Sequence, residues 1–426
     1  MYQKAIALSR STEFKNLVVY GIGQGFNLLT PLLAIPYIIS VCGLANYGKA
    51  AFAMALMFFL MVFVDFGSDI AGVKAVATNR DNEQKLQKIL VTTYAAKSCM
   101  LLLVLVIMVL LFLFFPYFED ERTLFLLSLP ILIGQLLNPT WFLQGVEHFT
   151  QITIINVLSK LLYVAGVFVF VKEQQDYIWV NVLWGVGMIV TNAASFLYLA
   201  VKFKLNFKGI RFHQVKEHLS LGFPIFSSQV FVAAQLYSPL IFVGLLGTSA
   251  LAGIYRVVDQ VIVIFKTYIL LFFNFVFPRI CYLLATDGRS GVRYWYRYNG
   301  LNFLFVSTAM ALIHYFAEPI AAFFTDSDIA SITPLLRIAV WIPVLMAISV
   351  PLKQLVLATN HNRFYVNLTI ILVIGNVAAM ALALTSYGIS GVLYALIFTE
   401  LLFILAYFAR IKNNVLQPDS ENKSYF

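Results

Sequence analysis

The chain has 426 residues, 61% of them hydrophobic and only 12% charged. A soluble domain averages about 25% charged residues, so this composition excludes an ordinary soluble enzyme and points to a protein that spans a membrane. The net charge of +9 follows from where the basic residues fall along the chain and needs no nucleic-acid partner.

Taken in order, the apolar blocks predict about twelve spans. A crossing helix needs roughly 20 apolar residues, and these solid blocks do not alternate as the strands of an outer-membrane barrel do. The first, 17–40, carries Gln24, Asn27, Pro31 and Pro36 and is too long for a signal peptide, so it is expected to be a retained span. The second, 47–76, has no polar side chain from Ala50 to Val64, then reaches Asp65, Asp69 and Lys74. The third, 87–116, holds Lys97 at a depth of about 15 Å, at 1.5 Å per residue. The fourth, 122–144, runs into "NPTWFLQGVEHFTQ" (Asn138–Gln151), which places Gln144 and Glu147 at its cytoplasmic end. That cluster reads either as a helix–helix turn built on Gly145 or as a gate. The fifth span, 149–172, contains Lys160, and 176–201 is the sixth. The segment "KFKLNFKGIRFHQVKEHL" (Lys202–Leu219) reads as a basic connector lying along the inner leaflet. Spans 219–246, 249–284, 293–324, 329–358, 362–385 and 388–411 complete the count.

Ionisable side chains inside these blocks are the informative exceptions. Each costs about 2.5–3.5 kcal/mol at mid-bilayer on insertion scales. Arg256, Asp259, Lys266 and Asn274 of the eighth block lie within about 80° on one helix face. Arg256 and Asp259 can neutralise each other at i,i+3, or the stripe can face a wet seam. Lys97, Lys160 and Lys266 have no acidic neighbour in sequence, so the expectation is a cationic cavity. Arg337 and Lys353 lie nearer the span ends, where snorkelling suffices. Asp65 reads as a polar helix contact beside a hinge at Gly67, or as an inner gate.

The basic residues Lys4, Arg10, Lys15, Arg80, Lys85, Lys88, the Lys202–Lys216 group, the Arg279–Arg297 group, Arg363, Arg410 and Lys412 fall on alternate connections. The other connections are acidic or neutral apart from Arg122 and Lys172, so both termini are expected in the cytoplasm. Weak similarities between the halves pair Tyr47 with Tyr255, His148 with His361 and Tyr177 with Tyr387, at offsets near 210. With six spans per half the repeats are parallel, an arrangement used by transporters. The expected domains are a lobe at 1–204, a linker at 205–218, a second lobe at 219–412 and a cytoplasmic tail at 413–426. The three cysteines have no metal spacing. There is no nucleotide loop, zinc-binding motif or nucleophile elbow, so neither an enzyme nor a cofactor or metal is expected.

Four stretches carry a resemblance: "NLLTPLLAIPYIISVCGLANYGKAAFA", "VDFGSDIAGVKAVATNRD", "PTWFLQGVEHF" and "NVLSKLL". With them the chain resembles the polysaccharide transporter family, the Wzx-type O-antigen and capsule flippases of the superfamily that also holds the MATE exporters. The resemblance implies an all-α membrane protein of two six-helix lobes around a cavity. It implies movement of an undecaprenyl-diphosphate-linked glycan from the inner to the outer leaflet of the bacterial inner membrane. Membrane lipids, a polysaccharide polymerase and a chain-length regulator are the implied partners. On this reading Lys97, Lys160, Arg256 and Lys266 bind substrate. Asp65, Gln144, Glu147 and Asp259 are candidates for gating or for coupling to H+ or Na+. A MATE-like exporter, a lipid II flippase and a membrane glycosyltransferase or polymerase are the alternatives.

Overall fold

The computed structural model describes residues 12–114, 118–207, 210–359 and 361–414, and among them every regular element is helical. Lys4, Arg10, Lys208, the chain's termini and most of the expected tail lie outside the described residues. The chain divides into two compact units, Met1–Tyr237 and Ser238–Phe426.

The first unit opens with α1 (Thr12–Cys42) and α2 (Leu44–Asp65), separated by Gly43 at φ 82°. After α2, Phe66 and Gly67 are both left-handed, at φ 48° and 74°, and a single π turn covers Ser68–Gly72 before α3 (Val73–Ala77). The second expected span is therefore interrupted at the hinge position read from Gly67. A left-handed Phe is uncommon. It is held by stacking on Phe226 at a ring distance of 4.3 Å, while a Cβ on Gly67 would lie 3.0 Å from Ile225.

Next come α4 (Glu83–Phe114), α5 (Arg122–Ser128), α6 (Pro130–Leu136), α7 (Thr140–Gly145), α8 (Phe149–Phe170) and α9 (Trp179–Lys202). Helix α4 shows how the bilayer sorts its faces. Leu90, Lys97, Val104 and Met108 are buried, while Leu102, Val106, Val109 and Leu113 are exposed. An exposed apolar face on a long helix is the face that meets lipid. Helices approach closely where side chains are small. Gly185 of α9 lies against α6, and a Cβ there would sit 2.6 Å from both the Ile131 nitrogen and the Pro130 carbonyl carbon. Backbone cannot move aside as a flexible side chain can. Gly185→Ala is expected to cost about 1–3 kcal/mol, measured as a lower unfolding midpoint in detergent.

One end of this unit is tied by Lys49 paired with Glu121, by the Tyr177 hydroxyl donating to Glu121 at 2.7 Å, and by Asn46 Nδ2 donating to the Gln174 carbonyl at 3.2 Å. The unit's last part belongs to α10 (Phe212–Leu246). The division between units falls inside α10 and not in the expected 205–218 linker. The reason is packing, because Phe226 stacks on Phe66 and Gln229 bonds Asp69.

The second unit continues with α11 (Ser249–Thr286), α12 (Gly288–Tyr315), α13 (Ala317–Phe324), α14 (Ile329–Ala339), α15 (Trp341–Ala358) and α16 (Asn362–Asn414). Among the described residues nine helices are long and apolar enough to cross a membrane, or ten if α12 and α13, bent by 71°, form one span. The count of twelve is not reproduced by this measure, for two local reasons. The described part of α1 contributes only the short apolar helix Leu29–Cys42. Helix α16 joins the last two expected spans in 53 residues, broken only at Gly388 with φ 60° and ψ −146°. A straight helix of that length would be about 80 Å long, so the break at Gly388 suits it to two crossings.

Candidate functional site

Asp65, the last residue of α2, is buried with a complete set of partners. Lys97 Nζ of α4 lies 2.8 Å from its Oδ1, and the Lys97 side chain is only 1% exposed. The Ser68 hydroxyl donates to the same oxygen at 2.9 Å, and Gln135 Nε2 of α6 donates to it at 3.0 Å. The Asp69 amide donates to Oδ2 at 3.3 Å, so Asp65 also closes the π turn that follows it. Asp69 itself is exposed and accepts both oxygens' bonds from Gln229 Nε2 at 2.8 Å. A buried charge is tolerable only when paired and hydrogen-bonded, and the Asp65 carboxylate meets both conditions. Lys97 therefore has the acidic partner that sequence proximity did not reveal, and it is not a free cation.

Gln135 links this network to a cavity of about 250 Å³ within the first unit. Asn138 Nδ2 donates to Gln135 Oε1 at 3.2 Å, and both amides line the cavity. Asn156, Ser159, Lys160 and Asn192 complete the polar wall; Phe58, Trp184, Met188 and Tyr237 are on the apolar one. Lys160 Nζ sits 3.3 Å from the centroid of the Trp184 ring. Tyr163 and Phe58 hold that ring from other sides, at 4.9 and 5.6 Å. The ammonium is thus stabilised by a ring quadrupole. Among the described residues it has no carboxylate within 4.0 Å. Of the four cations proposed from sequence as substrate ligands, Lys160 alone both lines this cavity and lacks an ion pair.

Gln144 and Glu147 are exposed at the far end of α7. Glu147 has φ 62°, and its carboxylate is 2.6 Å from Arg80 Nη2, while Arg80 Nε donates to the Gly145 carbonyl at 2.9 Å. The Arg80 guanidinium holds the Glu147 carboxyl below its ordinary range. The depressed value keeps this contact through neutral pH and releases it only as pH falls through the lowered value. A turn on Gly145 is present as well: a Cβ there would lie 2.6 Å from the Val76 side chain. Gln144 makes no part of the Asp65 network.

In the second unit the predicted stripe on α11 is internally paired. Arg256 Nη1 lies 3.2 Å from Asp259 Oδ2, and Lys266 Nζ lies 3.7 Å from Asp259 Oδ1. Lys353 sits over the Phe273 and Tyr365 rings, at 5.2 and 5.0 Å. Sequence reasoning missed Glu400 of α16, whose Oε2 accepts from the Ser349 hydroxyl at 2.6 Å. The signal was available, since Glu400 is an acid well inside the block 388–411, and the rule that found Lys97 applies equally to it.

Comparison with known proteins agrees with this architecture. The family model for polysaccharide biosynthesis proteins matches residues 14–283. Two proteins named "Putative O-antigen transporter" are similar. The one from Escherichia coli (strain K12) is 21% identical over 65% of this chain and 67% of its own length. The one from Shigella dysenteriae is 22% identical over 93% of this chain and its full length. Among solved structures, the lipid II flippase MurJ in an inward closed conformation gives a TM-score of 0.73 at 16% identity, covering 93% of this chain and 87% of its own. An inward-facing multidrug resistance MATE family transporter of the MOP superfamily gives 0.69 at 15% identity, covering 90% and 95%. At such identities these structures establish the fold alone, an all-helical one shared with both, and the family model, which covers more than half of the chain, shows that the chain belongs to the polysaccharide biosynthesis protein family.

Proposed function

We propose that the protein is a flippase that moves an undecaprenyl-diphosphate-linked oligosaccharide unit from the cytoplasmic to the outer leaflet of the bacterial inner membrane, for O-antigen, capsule or exopolysaccharide synthesis. The observation that carries this reading is the Lys160 cavity, an amide-lined chamber with an unpaired cation among apolar spans. A sugar hydroxyl without a partner in hydrocarbon costs roughly 2–7 kcal/mol, so a glycan needs such a polar refuge to cross. The names of the two curated relatives fit the same class of cargo. An organic cation suits the chamber less well, because its described lining includes Lys160 and no carboxylate. An inside-negative potential favours outward movement of an anion by about 2.3 kcal/mol per charge per 100 mV. The positive-inside pattern supports cytoplasmic termini. Any coupling to H+ or Na+ through Asp65 or Asp259 would first have to loosen those lysine pairs.

The test is deletion followed by leaflet-resolved lipid analysis. Lipid-linked units are expected to accumulate on the cytoplasmic face, and restoring the gene is expected to clear them. Units that reach the outer face at the normal rate in the deletion strain overturn the proposal.

A further inference from the structure

We propose that the Lys160 cavity takes one carboxylate-bearing sugar ring of the glycan, a uronic-acid-type unit, and is not the seat of the carrier's diphosphate. The inference rests on the flippase reading and narrows its substrate.

Three observations carry it. The first is size: about 250 Å³ lies below the roughly 300–1,000 Å³ of pockets that enclose drug-sized ligands, so the chamber suits one ring and not a chain. The second is the match of hydrogen-bonding groups. A sugar hydroxyl both donates and accepts, and so does a carboxamide. Asn156 lines the cavity and has no side-chain hydrogen bond among the described residues. Asn192 spends its Nδ2 on the Gly134 carbonyl at 2.8 Å, which leaves its side-chain oxygen as an acceptor. Gln135 and Asn138 are already committed to Asp65 and to each other, so they supply a fixed wall. Phe58, Met61, Ile155 and Met188 line the same cavity and supply apolar contact for the C–H groups of a ring.

The third observation is charge. Among the described residues that line the chamber the one cation is Lys160, resting on the Trp184 face at 3.3 Å without a carboxylate within 4.0 Å. One ammonium balances one carboxylate. A diphosphate brings more charge than this wall can answer, and burying the excess is costly. The ammonium has spare N–H groups for a carboxylate, and such charge-assisted bonds are about twice as strong as neutral ones. The same amide wall reaches Asp65 through Gln135, so a sugar in the chamber would press directly on the network that closes the turn after α2.

The experiment uses the full chain in nanodiscs and follows tryptophan fluorescence, with Trp184→Phe to identify the reporting ring. Sodium glucuronate, glucose and pyrophosphate are titrated separately. Glucuronate is expected to quench with a half-saturation at least about tenfold below that of glucose, the effect of one charge-assisted contact, and pyrophosphate is expected to be weaker than glucuronate. Lys160→Gln is expected to erase the preference, bringing the glucuronate half-saturation to that of glucose, while Lys160→Arg keeps it. If Lys160→Gln does not fold, Asn156→Ala serves instead, with both sugars expected to weaken severalfold. Equal half-saturation for glucuronate and glucose overturns the proposal, and so does the absence of quenching by either sugar. Pyrophosphate saturating first also overturns it and assigns the chamber to the carrier. The flippase reading is judged separately by the leaflet analysis: normal flipping with no sugar response defeats the cavity proposal alone, and unaltered lipid distribution in the deletion strain defeats the flippase reading.

Discussion

Asp65→Asn is expected to remove most of the protein from the membrane, and adding Lys97→Met to the same chain is expected to restore it. The single substitution keeps the size of the side chain and an oxygen that can accept from Ser68 and Gln135. What it removes is charge, leaving the Lys97 ammonium 1% exposed with no anion beside it. Breaking a buried pair from one side costs about 3–5 kcal/mol, a large share of a typical 5–15 kcal/mol total stability. Replacing both partners removes the charge that needs an answer, and such replacements are often neutral or stabilising. Membrane levels by immunoblot and unfolding midpoints in detergent would be compared across the two single variants, the double variant and the parent. The pattern expected is low, low and restored. Single variants at parental levels with lost transport would instead make Asp65 a gate whose charge the fold does not need.

That outcome bears on how the site reads from sequence. The membrane class, the helical architecture, the family and a break of the second span near Gly67 were all legible, because each rests on local pattern: run length, composition or a glycine beside an acid. The pairing of Asp65 with Lys97 was not, since the two residues lie on α2 and α4 and no helical spacing relates them. Lys266 and Asp259 were a nearer miss. They share a helix, but at i,i+7 they are two turns apart, where long side chains must reach along the axis to meet. The cavity itself was legible only as Lys160. Its amide wall comes from α6 and the turn after it, α8 and α9, and Asn156 and Asn192 carry no mark in the sequence that separates them from ordinary polar helix contacts. The expected twelve spans show the limit of counting by run length. Gly388 looks like any small residue in an apolar block until its backbone is seen to leave the helix.

Lys266→Gln is expected to slow transport of the glycan about tenfold while leaving membrane levels unchanged. In the second unit Asp259 faces two cations, Arg256 at 3.2 Å and Lys266 at 3.7 Å. Both cations share this one carboxylate. The longer contact is the weaker one. The Lys266 side chain is 20% exposed, so its loss leaves the Arg256–Asp259 pair intact and little stability is spent. On the proposed flippase function, the Lys266 ammonium is what an anionic substrate meets, and one lost charge-assisted contact corresponds to about a tenfold change. Lys266→Arg should keep transport near the parent, since charge is preserved. Asp259→Asn should behave differently and lower membrane levels, because it leaves both cations without their shared anion. Transport would be read as the rate at which lipid-linked units appear on the outer leaflet, normalised to membrane levels. A parental rate for Lys266→Gln would show that the Lys266 charge on α11 serves packing of the second unit and takes no part in moving the glycan.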